Sequence, residues 1–183
     1  MSSDLTGTAV AALDAVGLEG VANTASTLTD NDGSAREYLT EVISIPNDSD
    51  THVIRVFIKK DADISRFPEI GFSLVTGTAQ RLLLGLNTNT GATANRASTG
   101  TTASEVNDFG DWWEVLLSVQ NNTTGNVSVL LEIAPAIATV IGGINNAATA
   151  VPVSAHAAFV KSLENGISLV AAGPPYSHHL PFA

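Results

Sequence analysis

The stretch NDFGDWWEV, residues 107–115, contains both tryptophans of the chain side by side, and it continues into an apolar run that ends near Gln120. Neighbouring side chains of a β-strand point to opposite faces of the sheet. A strand over residues 112–120 therefore places Trp113 in the core, with every second residue after it (Val115, Leu117 and Val119). Trp112 then shares the outer face with Glu114, where it can pack under a loop or arm, contact another subunit, or stack on a sugar ring. With the reversed register, the two indoles exchange these roles.

The composition indicates one folded domain with a weakly charged surface. The chain has 183 residues, of which 44% are apolar and only 14% are charged. A disordered chain would be far more polar, and this length suits a single hydrophobic core. Much of the surface must then consist of small, uncharged residues, which suits close neighbours in an assembly.

Charge and cysteine content exclude several classes of function. The formal net charge is −10, with only 8 Lys and Arg residues, so the sequence offers no basic patch for nucleic acid. There are no cysteines, so no disulfide or thiolate chemistry is expected. The N-terminal residues lack the basic region of a signal peptide, and no apolar run is long enough to span a membrane. We therefore expect synthesis in the cytoplasm.

Short apolar runs separated by turn residues predict an all-β fold. Residue triplets such as Thr76-Gly77-Thr78 interrupt the runs, and their alternation has a period of two. This pattern is typical of an antiparallel β-sandwich or barrel. About eight strands are predicted, at residues 37–45, 53–60, 69–75, 80–86, 104–108, 112–120, 127–133 and 155–163.

The two ends of the chain differ from this pattern. Residues 3–16 predict a short helix or an arm, because Leu5, Ala9 and Leu13 share one helical face. The C-terminal residues 171–183 contain three prolines, which favour an extended arm with apolar anchors at Tyr176, Leu180 and Phe182. The predicted organisation is an N-terminal segment at 1–21, a β-domain at 22–170 and a C-terminal arm at 171–183.

One internal segment is too apolar for a solvated loop. Residues 134–153, APAIATVIGGINNAATAVPV, contain no charged side chain. The segment either covers one end of the core or forms a contact surface against another subunit. In the second case Ile137, Val140 and Ile141 are the expected contact residues.

The sequence contains no catalytic motif, and its candidate metal ligands are weak. Adjacent His178 and His179 point apart in an extended arm, which disfavours chelation by both. Acidic turns at residues 30–32, 48–50 and 61–63 could hold a structural calcium ion, but none matches the calcium-binding loop of twelve residues. Phosphate-binding and nucleophile motifs are also lacking. We therefore expect neither enzymatic activity nor a cofactor.

Four patches, taken in order, carry a resemblance to a known family. They are VIRVFIKK at 53–60, NTNTGA at 87–92, VNDFGDWWEV at 106–115, and LENG at 163–166 followed by Pro175 and Tyr176. Together, across about residues 22–178, they resemble the carbohydrate-binding-module-like jelly-roll domain of tailed-phage virion proteins, in particular decoration and fibre proteins. The resemblance implies an antiparallel jelly-roll sandwich.

The resemblance also implies a structural role on a virion surface. The expected function is that of a capsid decoration or cement protein, which binds the major capsid protein and forms a homotrimer or another homo-oligomer. The alternative is a glycan-binding adhesin or tail-fibre module that attaches the particle to host saccharide. Candidate contact residues for either function are Trp112, Glu114, Ile137, Val140, Ile141, Tyr176, Leu180 and Phe182.

Overall fold

The computed structural model describes residues 4–6, 10–29, 38–62, 67–138, 141, 154–163 and 167–170. These residues form strands joined by turns and loops. No helix long or apolar enough to cross a membrane occurs within these ranges. The thirteen strands are β1 (Asp4–Thr6), β2 (Val10–Ala15), β3 (Ala25–Thr29), β4 (Tyr38–Ser44), β5 (Thr51–Lys59), β6 (Phe67–Val75), β7 (Gln80–Leu86), β8 (Thr93–Thr99), β9 (Thr102–Phe109), β10 (Trp112–Gln120), β11 (Ser128–Ala138), β12 (Ser154–Leu163) and β13 (Ile167–Val170).

The strands form two antiparallel sheets. The first sheet has the order β1-β4-β11-β6-β7-β8, and the second has the order β2-β3-β12-β5-β10-β9, with β13 paired to β12. Consecutive strands change sheet seven times, for example between β4 and β5, between β8 and β9, and between β10 and β11. Strands that are distant in sequence therefore become neighbours in space.

The two sheets share one apolar core. Phe72 and Leu84 from the first sheet and Ile58 and Leu117 from the second are among its members, and each is at most 1% exposed. Burial of such a side chain contributes about 1.5–3 kcal/mol relative to an exposed one. This packing of two antiparallel layers around one core is consistent with a β-sandwich.

The strands with strong apolar patterns lie where the sequence predicts them. The predicted strands at residues 80–86 and 112–120 coincide with β7 and β10. The predicted number of about eight strands is too low, because β1, β2, β3, β8 and β13 were not anticipated. For example, β8 has the sequence TANRAST, which contains no large apolar residue and so no period-two signal.

The helix predicted as one possibility for residues 3–16 is wrong. Residues 4–6 form β1 and residues 10–15 form β2, which pairs with β3 from Val10 opposite Thr29 to Ala15 opposite Ala25. The helical spacing of the apolar residues is weak evidence because Thr6, Gly7 and Thr8 are poor helix formers. Pairing with β3 satisfies the backbone of β2, and this tertiary interaction outweighs the local preference.

The buried side chain of Asn126 holds a loop and a turn together at one end of the fold. Asn126 is 0% exposed, and its amide nitrogen donates to the Thr78 carbonyl (2.8 Å) and to the Asn122 side chain (2.9 Å). Its side-chain oxygen accepts a hydrogen bond from the Gly77 amide (3.0 Å). These bonds join the loop between β10 and β11 to the turn between β6 and β7.

We predict that Asn126→Ala destabilises the protein by about 1–3 kcal/mol, because it removes a fully buried side chain together with its hydrogen bonds to the Gly77 amide and the Thr78 carbonyl. Asn89→Ala is the matched control, since Asn89 is exposed and only its backbone amide takes part in the hydrogen bonds of its turn. Urea unfolding followed by circular dichroism measures both variants. Equal midpoints for the two variants would contradict a structural role for the Asn126 side chain.

Candidate functional site

The tryptophan pair divides between the two faces of the second sheet, as the sequence predicts. In the register of β10, Trp112 lies opposite Lys59 of β5 and Phe109 of β9, and Trp113 lies one position further along. Trp113 packs against the main core with Val115, Leu117 and Val119, so the prediction of a core position is confirmed. Trp112 lies on the other face.

A hairpin covers Trp112 on this outer face. The indole is 5% exposed and packs in a second cluster with Phe57, Ala15 and Ala25, with Leu18 against it. The alanines and Leu18 belong to the end and turn of the β2–β3 hairpin. Of the three surroundings considered for this indole, the structure shows packing under a loop. Trp112 therefore offers little surface to a sugar or a subunit.

Internal hydrogen bonds shape the turn of this hairpin. The Gly17 amide donates to the Val21 carbonyl and to the Thr24 hydroxyl, and the Gly20 amide donates to the Gly17 carbonyl. The Thr24 amide donates in turn to the Ala15 carbonyl (3.1 Å). Val21 in this compact turn is 48% exposed.

Glu114 is held by neighbouring strands. Arg55 Nε donates to Glu114 Oε1 (2.5 Å), and the Asn107 amide donates to Oε2 (3.1 Å). The Arg55 guanidinium also lies over the ring of Phe57, 4.8 Å from its centre. Both oxygens of the carboxylate are thus occupied, and the Glu114 side chain is only 13% exposed. This arrangement suits a structural ion pair across β5, β10 and β9 better than a proton donor or acceptor.

An exposed aromatic side chain lies beside this ion pair. Phe109 is 50% exposed, and its ring meets that of Phe57 edge to face with 5.3 Å between centroids. Val16 and Val21, in the hairpin turn that also supplies Ala15 and Leu18 to the cluster around Trp112, are 45% and 48% exposed. We call these three side chains, Val16, Val21 and Phe109, the Phe109 patch. Such a patch is unusual for the outer face of an antiparallel sheet, which is normally polar.

The sequence contains a signal for Phe109 that the strand prediction missed. The predicted strand ended at residue 108, one residue too early. Gly110 and Asp111 form a two-residue turn, and Gly110 has φ of 67°, a left-handed conformation that favours glycine. Such a turn places the residue before it opposite the residue after it. Phe109 therefore shares a face with Trp112.

Trp113 connects the start of β10 to the loop between β7 and β8. The Trp113 indole donates to the Thr88 carbonyl (2.7 Å), and the Lys60 amine lies 4.3 Å from the ring centre. Lys60 also bonds Asp108 (2.6 Å), and this hydrogen bond lowers the pKa of Asp108 below its usual value. Gly91 has φ of 74°, and a β-carbon there would lie 2.7 Å from the Trp113 ring, so only glycine fits.

The remaining predicted contact residues fall mostly outside the described part of the chain. Ile137 lies on β11, and Ile141 is a half-buried turn residue. Val140, Tyr176, Leu180 and Phe182 are outside the described residues, as are His178 and His179.

The acidic turns show a structural use where they are described. Asp48 Oδ1 accepts hydrogen bonds from the Asp50 amide and the Asn121 side chain, and it pairs with His52 Nε2, each at 3.2 Å. Asp61 is exposed, whereas Asp63 and residues 30–32 are not described. Among the described residues, no three His, Cys, Asp or Glu side chains form a group that could hold a metal ion.

Comparison with family models and curated sequences adds no relative. No protein-family model matches the chain, and no curated protein sequence does so. The functional proposal therefore depends on the geometry of this chain and on the resemblance of its motifs.

We predict that Trp112→Ala lowers the free energy of unfolding by about 3–5 kcal/mol, the usual cost of removing a buried aromatic side chain. Phe109→Ala is the control on the same face. It should cost about 0.5–1.5 kcal/mol, the range for one aromatic pair. Urea denaturation followed by far-ultraviolet circular dichroism compares the variants. A loss for Trp112→Ala as small as that for Phe109→Ala would show that the hairpin does not cover the indole.

We predict that Asp48→Asn removes an acid-sensitive contribution to stability. Burial acts to raise the pKa of Asp48, but hydrogen bonds from His52, the Asp50 amide and Asn121 outweigh it, so the pKa lies below its usual 3.8. The ionised form therefore stabilises the fold above about pH 3.8, and this contribution disappears as the pH falls through the lowered pKa.

The urea midpoints of wild type and Asp48→Asn should accordingly differ at pH 6, and the difference should disappear as the pH falls through the lowered pKa of Asp48. Asp111→Asn, which changes an exposed carboxylate in the β9–β10 turn, is the control. A constant difference between wild type and Asp48→Asn at all pH values would contradict this assignment.

Proposed function

We propose that this protein is a non-enzymatic structural component of a tailed-phage virion, a capsid decoration or cement protein that binds neighbouring subunits. The observation that carries the proposal is the meeting of three of the family-like motifs at one end of the sheet. Lys60 ends the first motif, Thr88 and Gly91 belong to the second, and Trp113 belongs to the third. Residues separated by up to 53 positions thus form one contact, as expected of motifs that define a shared fold.

The strand order supports the jelly-roll architecture that the resemblance implies. β4 lies beside β11 in one sheet, and β5 lies beside β10 in the other. Two of the crossings between the sheets, from β4 to β5 and from β10 to β11, therefore join two nested pairs of strands. Nested crossings of this kind occur in double-sheet jelly rolls.

The use of charged residues supports a structural rather than a catalytic role. Glu69 is 1% exposed and binds the Arg96 guanidinium through both oxygens, and Glu114 is held by Arg55 and Asn107. Catalytic carboxylates must be able to exchange protons with substrate. Carboxylates that are occupied in this way instead fix strands relative to one another.

In this proposal, exposed apolar side chains on both sheets form the contacts with neighbouring subunits. The Phe109 patch lies on the second sheet, and Val42 on the first sheet is 62% exposed. Burial of apolar surface contributes about 25 cal/mol per Å², so several contacts of a few hundred Å² are needed to offset the cost of association. Icosahedral or cyclic symmetry repeats each contact, which favours a trimer or another homo-oligomer on a shell.

A glycan-binding adhesin or tail-fibre module is the second candidate function. One observation favours it: Phe109 presents half of an aromatic ring next to Asn107, on a face that also carries Arg55 and Glu114. Aromatic rings stack on sugars, and amides donate hydrogen bonds to hydroxyl groups. The covered indole of Trp112 does not contribute to such a platform.

Immunogold labelling of intact particles tests the proposed location. Particles from cells that produce this chain are banded on a density gradient and labelled with antibodies against it. We expect many labels per particle over the capsid. Label confined to the tail would favour the fibre module, and a chain found only in the soluble fraction would contradict both functions.

A glycan array separates the two functions in the purified protein. A decoration protein should bind no glycan, whereas an adhesin should bind a defined saccharide and lose binding in Phe109→Ala. Val42→Ala is the control, since it also removes an exposed apolar side chain but on the other sheet.

A further inference from the structure

The side chains of the Phe109 patch are only partly covered in the described part of one chain. Val16, Val21 and Phe109 are 45%, 48% and 50% exposed. The Phe109 ring is already held on one side by Phe57, so binding on its exposed side orders few additional bonds. The geometry describes a preformed, aromatic-lined surface.

We propose that the Phe109 patch binds residues 171–183 of a neighbouring copy of this chain, so that an extended C-terminal segment links subunits. The inference rests on the proposed assembly function and specifies which surface and which segment perform it.

The composition of the segment matches the patch. Residues 171–183, AAGPPYSHHLPFA, contain Pro174, Pro175 and Pro181 together with three large apolar side chains, Tyr176, Leu180 and Phe182. Proline-rich segments are extended before they bind, and their low entropy lets them dock on aromatic-lined surfaces. Because prolines lack an amide donor, the segment is unsuited to continue β13 as a paired strand.

The charge distribution also favours contact of the patch with residues 171–183 of a second copy over contact with its other surfaces. The formal net charge of the chain is −10, so two copies repel each other through most of their surfaces. Residues 171–183 contain no Asp or Glu. The face that bears the patch carries Lys59, whose amine lies 6.0 Å from the Trp112 ring, and Arg55. An uncharged segment approaches this face without repulsion.

The starting point of the segment lies on the same sheet as the patch. β13 ends at Val170, opposite Val160 of β12, and the nearby Ala158 of β12 lies opposite Phe57 of β5. Thirteen extended residues span about 40 Å at roughly 3.3 Å per residue.

Measurement of mass in solution tests the proposal with the full chain. Light scattering after size-exclusion chromatography compares the wild type with Phe109→Ser, with the double variant Leu180→Ser/Phe182→Ser, and with Val42→Ser as the control. We expect an oligomer for the wild type and for Val42→Ser. The other two variants should shift toward the single-chain mass of 18.8 kDa at the same concentration. Unchanged circular dichroism confirms that each variant is folded.

A synthetic peptide of residues 171–183 tests the contact directly. Labelled peptide should bind the Leu180→Ser/Phe182→Ser protein, whose patch is then free, and fluorescence anisotropy should show at least tenfold weaker binding to a protein that also carries Phe109→Ser. A peptide with serine at 176, 180 and 182 is the control.

A wild type that remains a single chain at all concentrations, or an oligomer that neither set of variants weakens, would overturn the inference. Either result leaves the location on the virion to be decided by immunogold labelling. Conversely, absence of the chain from particles would overturn the proposed function even if the peptide binds.

Discussion

The register between β5 and β10 determines the rest of the structure. It pairs the two strands from Trp112 opposite Lys59 to Gln120 opposite Thr51. Because side chains alternate with a period of two, a slip by one residue would move Trp113 and the valines behind it out of the core. Backbone bonds fix both ends of this pair: the Lys60 amide donates to the Asp111 carbonyl (2.9 Å), and the Asn121 amide donates to the Asp50 carbonyl (2.8 Å).

One ion pair fixes the alignment of strands in the first sheet in a similar way. Glu69 on β6 is buried and bonds Arg96, which is the extra residue of a β-bulge in β8, two strands away. Gly85 of β7 lies opposite Glu69, so no side chain from that position obstructs the reach of the guanidinium. The hydrogen bonds to Glu69 raise the pKa of Arg96. Buried pairs often add little net stability, but loss of one partner is costly, so the pair mainly enforces this alignment of strands.

The apolar pattern of the sequence predicts the strands that build the core, but not the contacts on the outer face. β7 and β10 follow from their runs of apolar residues, whereas β8 is polar on both faces and has no such signal. The cover over Trp112 comes from Ala15 and Ala25, about 90 positions away, and no local period encodes a contact of that range. The sequence around Trp112 leaves open whether its outward indole packs under a loop or arm, contacts another subunit or stacks on a sugar ring.

Because Trp112 is buried, the exposed aromatic side chain on this face is Phe109, the last residue of the edge strand β9. An edge strand has unpaired backbone groups that can pair with another chain. β9 also carries Glu105 and Asp108, both exposed, and acidic residues on an edge disfavour pairing between copies of an acidic protein. Contact through the Phe109 ring avoids this repulsion, because the ring lies on the face of the sheet and is already oriented by Phe57. In the proposed assembly, the charges of β9 thus favour side-chain contact over strand pairing.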